Sequence, residues 1–190
     1  MKITESYEGL TRIENGDYVL EKDLIVDGSI EIELDDRFVV EGRLEATKSI
    51  IAECGIEAGC GIEAGDGIKA GWGIEAGDGI KAGDGIKAGW GIEAGCGIEA
   101  GWGIEAGCGI EAGCGIEAGC GIEAGDGIKA GDGIKAGCGI EAKMIDCKKR
   151  IFAGISLYRT SKDCIKTIKC QKLIDGEIAY GDLIIESEDK

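Results

Sequence analysis

The chain has 190 residues, with 36 glycines, ten cysteines, no proline and no histidine, and a formal net charge of −16. That length suits a single domain, and the charge excludes nucleic acid as a partner for the chain as a whole. Residues 1–7 lack the apolar core of a secretory leader and no run is long enough to span a membrane, so a cytoplasmic location with mostly reduced thiols and no membrane partner is expected.

Residues 1–23 show weak alternation and an Asn-Gly-Asp turn signal at Asn15–Asp17, and read as an N-terminal cap. A solenoid domain is expected over residues 24–142. From Leu20 onward a diverged six-residue register is traceable. Leu20, Val26, Ile32, Phe38, Leu44 and Ile50 fall in the slot later held by Ile56, while Leu34, Val40, Ala46 and Ala52 fall in that of Ala58.

From Cys54 to Ala142 the unit x-Gly-Ile-(Glu/Lys)-Ala-Gly runs fifteen times. Only two slots vary, and they vary together. The five Asp units (Asp66, Asp78, Asp84, Asp126, Asp132) carry Lys three residues on, whereas the seven Cys units and three Trp units carry Glu. Duplication of three ancestral cassettes accounts for that linkage. A six-residue period drifts off the helical turn, and two glycines per unit oppose a helix by about 2 kcal/mol relative to alanine. Collagen needs glycine at every third position, and disordered tracts lack a regular isoleucine supply.

A strand Ile-(Glu/Lys)-Ala instead turns Ile and Ala to one face and the charge to the other. The predicted fold is therefore all-β, a single parallel β-helix (β-solenoid) with N- and C-terminal caps. Its coils hold either three hexapeptides (18 residues, triangular) or two (12 residues, flattened). The glycines are expected to bend the corners through positive φ. The left-handed hexapeptide helix of many acyltransferases is a relative in pattern, but it wants a small residue where this chain places Cys, Asp or Trp. Trp does not fit a narrow prism, so that slot points outward or the solenoid is of another, tighter kind.

Past Ala142 the glycines thin out. Residues 143–190 read as irregular final coils and a C-terminal cap, with strand-like runs at Arg150–Tyr158 and Glu177–Ile185 and a turn signal at Asp175–Gly176. The Gly-Ile-Glu-Ala-Gly-Trp and Gly-Asp-Gly-Ile-Lys-Ala-Gly units, with Arg-Ile-Phe-Ala-Gly and Glu-Ile-Ala-Tyr-Gly-Asp-Leu after them, resemble glycine-rich hexapeptide-repeat proteins of bacteria and phages. The resemblance covers roughly residues 50–185 and implies no activity and no catalytic residues.

Acyltransfer on such a fold relies on a histidine general base, and this chain has none. No catalytic, cofactor-binding or metal-ligating residue is assigned. The corner cysteines lack C-x-x-C spacing, and neighbouring glutamates disfavour thiolates. In a 12-residue coil Cys108 and Cys120 would stack within disulfide reach; in an 18-residue coil the pairs would be Cys96 with Cys114 and Cys120 with Cys138. Trp72, Trp90 and Trp102 are candidate surface contacts for sugars or a protein. Residues 143–172 hold nine basic and two acidic residues, and Lys148, Lys149, Arg150, Lys166 and Lys169 form a candidate basic patch for a partner or another copy. The expected function is a non-enzymatic structural or interaction module, a rigid acidic rod. The alternative is a glycan- or metal-binding protein using the outward Trp, Cys, Asp and Glu rows.

Overall fold

In the computed structural model, which describes residues 1–155 and 166–187, every regular element is a β-strand. Each hexapeptide contributes one short strand, three residues long in all but two units; in strands such as Ile62–Ala64 or Ile80–Ala82 the first and third residues are buried. The alternation of side chains along a strand turns Ile and Ala inward and Glu or Lys outward, as the sequence requires.

Register fixes the coil. Ile62 pairs in parallel with Ile80, Ile80 with Ile98, Ile98 with Ile116 and Ile116 with Ile134. Three hexapeptides thus make one 18-residue turn, and the flattened 12-residue coil is excluded. The strands stack as three parallel sheets. The first contains Phe38–Val40, Ile56–Ala58 and Ile74–Ala76; the second Leu44–Ala46, Ile62–Ala64 and Ile80–Ala82; the third Ile50–Ala52, Ile68–Ala70 and Ile86–Ala88. The third is ten strands deep. At a strand spacing of about 4.8 Å the perfect repeat is about 24 Å long.

Inside, each repeat coil supplies three Ile and three Ala, all buried. Burying one Ile contributes about 1.5–3 kcal/mol, so the shared column is the source of stability. Among the described residues the only buried one with a charged side chain is Asp17, near the N-terminal end.

The repeat glycines do not bend the chain in the expected way. None of them has positive φ; the glycines that do are Gly9, Gly16, Gly28, Gly154, Gly176 and Gly181. What they provide is close approach between coils. A Cβ on Gly83, before the corner residue, would lie 1.9 Å from the carbonyl oxygen of Gly65, and one on Gly85, after it, 3.2 Å from that of Gly103. The first of these distances leaves no room for a side chain, and the second is a tight contact.

The N-terminal register also differs from the sequence reading. Tyr18, Leu24 and Ile30 pair with Phe38, Leu44 and Ile50, so they hold the Ile slot. Leu20, Val26 and Ile32 hold the Ala slot instead. The corner 33–37 has five residues where a repeat corner has three, and the two extra shift the frame. Leu34 lies in that corner, not in a strand, and its side chain is buried there. Lys2–Ile3 already joins the third sheet beside Glu31–Ile32. Leu10–Arg12 then pairs antiparallel with Tyr18–Leu20, and the intervening turn at Asn15–Asp17 has Gly16 at φ 102° with Asn15 bonded to Asp17. The Tyr18 hydroxyl donates to Asp35 at 2.7 Å and Glu5 at 2.9 Å, with the Arg12 guanidinium 4.9 Å from its ring. Burial, then these carboxylate partners, pushes the phenol pKa up.

At the other end, Met144–Ala153 is one long strand that serves the first sheet (Ile128 beside Ile145) and then the second (Ile134 beside Ile151), across a 17-residue coil. The run Arg150–Tyr158 therefore ends as a strand at Ala153, and residues 156–158 lie outside the described ones. Lys172–Tyr180 repeats the double use with register shifts. Asp175–Gly176, read as a turn between segments, is a corner inside this strand. Asp182–Ile185 closes the third sheet beside Thr167–Cys170, with Leu183 and Ile185 left 40% and 55% exposed.

Candidate functional site

With the interior filled by aliphatic groups, chemistry is confined to six longitudinal rows, three along corners and three along faces. Corner residues stack through backbone hydrogen bonds: the N–H of Asp78 donates to Cys60, that of Cys96 to Asp78, and that of Cys114 to Cys96. One corner therefore reads Cys60, Asp78, Cys96, Cys114, Asp132, and the next reads Asp66, Asp84, Trp102, Cys120, Cys138. The third reads Cys54, Trp72, Trp90, Cys108, Asp126. The corner slot points outward, with Cys54 the exception at 1% exposure.

Coil length settles the cysteine pairs. Cys96 stands over Cys114 and Cys120 over Cys138, while Cys108 and Cys120 lie on different corners. Burial raises the thiol pKa of Cys54, Cys147 and Cys170. Among the described residues no group of three or more His, Cys, Asp or Glu is placed to hold a metal ion, and no helix is long and apolar enough to cross a membrane.

The tryptophans separate. Trp72 and Trp90, 18 residues apart, stack with ring centroids 5.7 Å apart and planes 13° from parallel. Trp102 sits on another corner, above Asp84. Knowing the coil length would have found this pair from the sequence.

The predicted basic patch is not brought together. Lys148, Lys149 and Arg150 lie at the corner between the first and second sheets, whereas Lys166 and Lys169 approach the third. Four of the five are neutralised within the chain: Lys149 by Asp132 at 2.6 Å, Arg150 by Glu177 at 3.6 Å, Lys166 by Asp182 at 3.5 Å and Lys169 by Glu141 at 3.7 Å.

Face rows carry a pattern that unit-by-unit reading misses. Lys81, Lys87, Lys129 and Lys135 each pair with a glutamate one coil away, Glu99, Glu105, Glu111 and Glu117. The Asp–Lys linkage within a unit thus does not report a contact within that unit. On the first sheet Glu57, Glu75, Glu93 and Glu111 run in succession. Arg37 pairs with Glu57 at one end and Lys129 with Glu111 at the other. Among the described residues Glu75 and Glu93 are in no ion pair. Burial first, then the Glu57 and Glu93 charges, raises the Glu75 pKa.

No family model, curated protein or solved structure matches this chain.

Between the tryptophan corner and the glutamate row lies a trough of about 710 Å³, floored by Gly73, Gly91 and Gly109, which have no side chain to fill it. Trp72 and Trp90 form one wall, Glu75 and Glu93 the other, and Arg37 closes the N-terminal end. Similar troughs on the other two faces have no aromatic wall pair.

Proposed function

We propose that this protein is a non-enzymatic scaffold, a stiff acidic rod that holds its two ends apart and offers a repeated surface to partner proteins or further copies. It sits, on this reading, with the glycine-rich hexapeptide-repeat proteins of bacteria and phages, in the reducing cytoplasm, with neither nucleic acid nor membrane as partner. The observation that carries the proposal is the filled core: from Ile56 to Ala142 every inward side chain is a buried Ile or Ala. All sequence variation is spent on the outside. A stack in which each coil touches only its neighbours can change length without changing its cross-section, which suits a spacer and does not suit a catalyst.

Two measurements on the intact protein test this. Titration with cadmium, followed by thiolate charge-transfer absorbance, should give no stoichiometric plateau, and a glycan array should stay silent. A saturating metal band or a specific glycan would replace the scaffold with the glycan- or metal-binding alternative. The Trp72–Trp90 stack is the feature that favours a glycan, since indoles are common sugar platforms. It also works against one, because each ring already covers a face of the other.

A further inference from the structure

We propose that the trough on the first sheet captures an arginine side chain of a partner protein, its guanidinium set against the Trp72–Trp90 stack and between the Glu75 and Glu93 carboxylates. This inference goes beyond the scaffold reading and does not depend on it.

Three features of the site converge. The indoles are the only stacked pair among the described residues and stay accessible, Trp90 at 61% exposure. An aromatic face attracts a cation, and guanidinium stacks on it better than ammonium does. Opposite, two carboxylates one coil apart, about 4.8 Å, lie within a run of four like charges. Such a run is destabilising unless cations intervene, and among the described residues they pair with it only at its ends.

A guanidinium of the chain itself pairs with this glutamate row. Arg37 already occupies the N-terminal end of the trough, bonded to Glu57 and 3.7 Å from Asp17, and it flanks Gly55 together with Trp72. The position beside Glu75 and Glu93 lies one coil on, and among the described residues no basic side chain forms an ion pair there. Of the charged groups lining the trough, Asp17, Asp36 and Arg37 (paired with Glu57) lie at one end, Glu111, Lys129 and Asp146 at the other, and Glu75 and Glu93 between.

Purely hydrophobic partners fit less well, because they would strip water from the Glu75 and Glu93 carboxylates along one wall without pairing them. A lysine can enter, but it cannot bridge two carboxylates in a plane while lying flat on a ring.

The test is calorimetric titration of the full chain with a capped hexaarginine peptide at about 0.15 M salt, where diffuse attraction to an acidic protein is screened. Binding accompanied by a change in tryptophan emission is expected, with hexalysine weaker by about fivefold or more. The double substitution Glu75→Gln/Glu93→Gln should weaken hexaarginine about tenfold or more, and so should Trp90→Ala. Glu105→Gln/Glu123→Gln removes the same charge from the third sheet and should change affinity by less than about twofold.

Deleting Asp78–Gly83 supplies a second check. The unit is neutral, so net charge and tryptophan count are kept while Trp90 moves to another corner; binding should be lost. Equal weakening by the two glutamine pairs, equal affinity for hexalysine, retained binding in the deletion, or no binding to the wild type would each overturn the proposal.

Discussion

In the coils from Ile56 to Ala142 the backbone repeats one conformation and never enters the left-handed region, whereas at both ends the chain turns through it, at Gly16 before Tyr18 and at Gly176 after Cys170 among others. The same residue type does different work in the two regions. In the repeat the glycine before each corner residue is there because the preceding coil's carbonyl occupies the place of its side chain; at the ends it is there because the torsion demands it. The cores differ in parallel. The repeat fills every level with Ile and Ala, while the N-terminal levels use Tyr18, Leu20, Phe38 and Val40, and the last level leaves Leu183 and Ile185 half in solvent. Uniformity lets levels be added or removed, and irregularity marks where stacking must begin and stop.

The strongest way to break this contrast is to give a repeat glycine a side chain. Gly83→Ala places a methyl group 1.9 Å from a backbone oxygen that cannot swing away. The loss should exceed the roughly 1–3 kcal/mol of ordinary overpacking, and loss of the cooperative thermal transition is expected. Gly85→Ala, two residues on, meets its oxygen at 3.2 Å and gains about 0.4–1 kcal/mol from a stiffer unfolded chain. Its stability should stay within about 1 kcal/mol of wild type. Equal damage from both would mean that torsion, not approach, selects these glycines.

Next in size is a cavity. Ile98→Ala removes a side chain with 1% exposure from mid-column and should lower unfolding free energy by about 2–5 kcal/mol in a denaturant titration. Leu183→Ala, in the equivalent inward slot of the half-open last coil, should lose under about 1 kcal/mol. A reversed order would place the stabilising core at the C-terminal end.

Removing a whole hexapeptide should be milder still. Without Asp78–Gly83 the inward residues of every remaining repeat coil are still Ile and Ala, so the protein should fold with a small drop in Tm. The near-ultraviolet signal of the coupled indoles should vanish, because Trp72 then stacks on Cys96. If the deletion unfolds the chain, the levels are not interchangeable.

These substitutions also show which features the sequence made legible. The isoleucine and alanine columns are visible because strand alternation translates directly into burial. Coil size is not, since a period of six divides both 12 and 18, and with it went the partner of every corner residue, including Trp90 for Trp72. The N-terminal register slipped for a related reason. Tyr18 and Leu20, Leu24 and Val26, Ile30 and Ile32 are apolar pairs two apart, so a two-residue shift leaves every inward side chain inward. Only the five-residue corner at Leu34 distinguishes the registers, and its length emerges from pairing. The trough was invisible because it joins a corner row to a face row.

The smallest expected effect bears on that trough. The raised pKa of Glu75 means that the folded state holds its proton more tightly than the unfolded chain does. An acid shifted this way penalises folding once it is ionised. The penalty is therefore complete above the folded-state pKa, fades as pH falls through the interval below it, and is gone beneath the unfolded value near 4.5. Glu75→Gln should accordingly raise Tm slightly at pH 7, with the gain shrinking to nothing as pH is lowered past 4.5. Glu99→Gln, on the second sheet beside Lys81, should show no such gain, since its charge is compensated. A stabilising effect of Glu75→Gln that persists at acid pH would have to come from packing, and the run of like charges along the first sheet would then carry no energetic consequence.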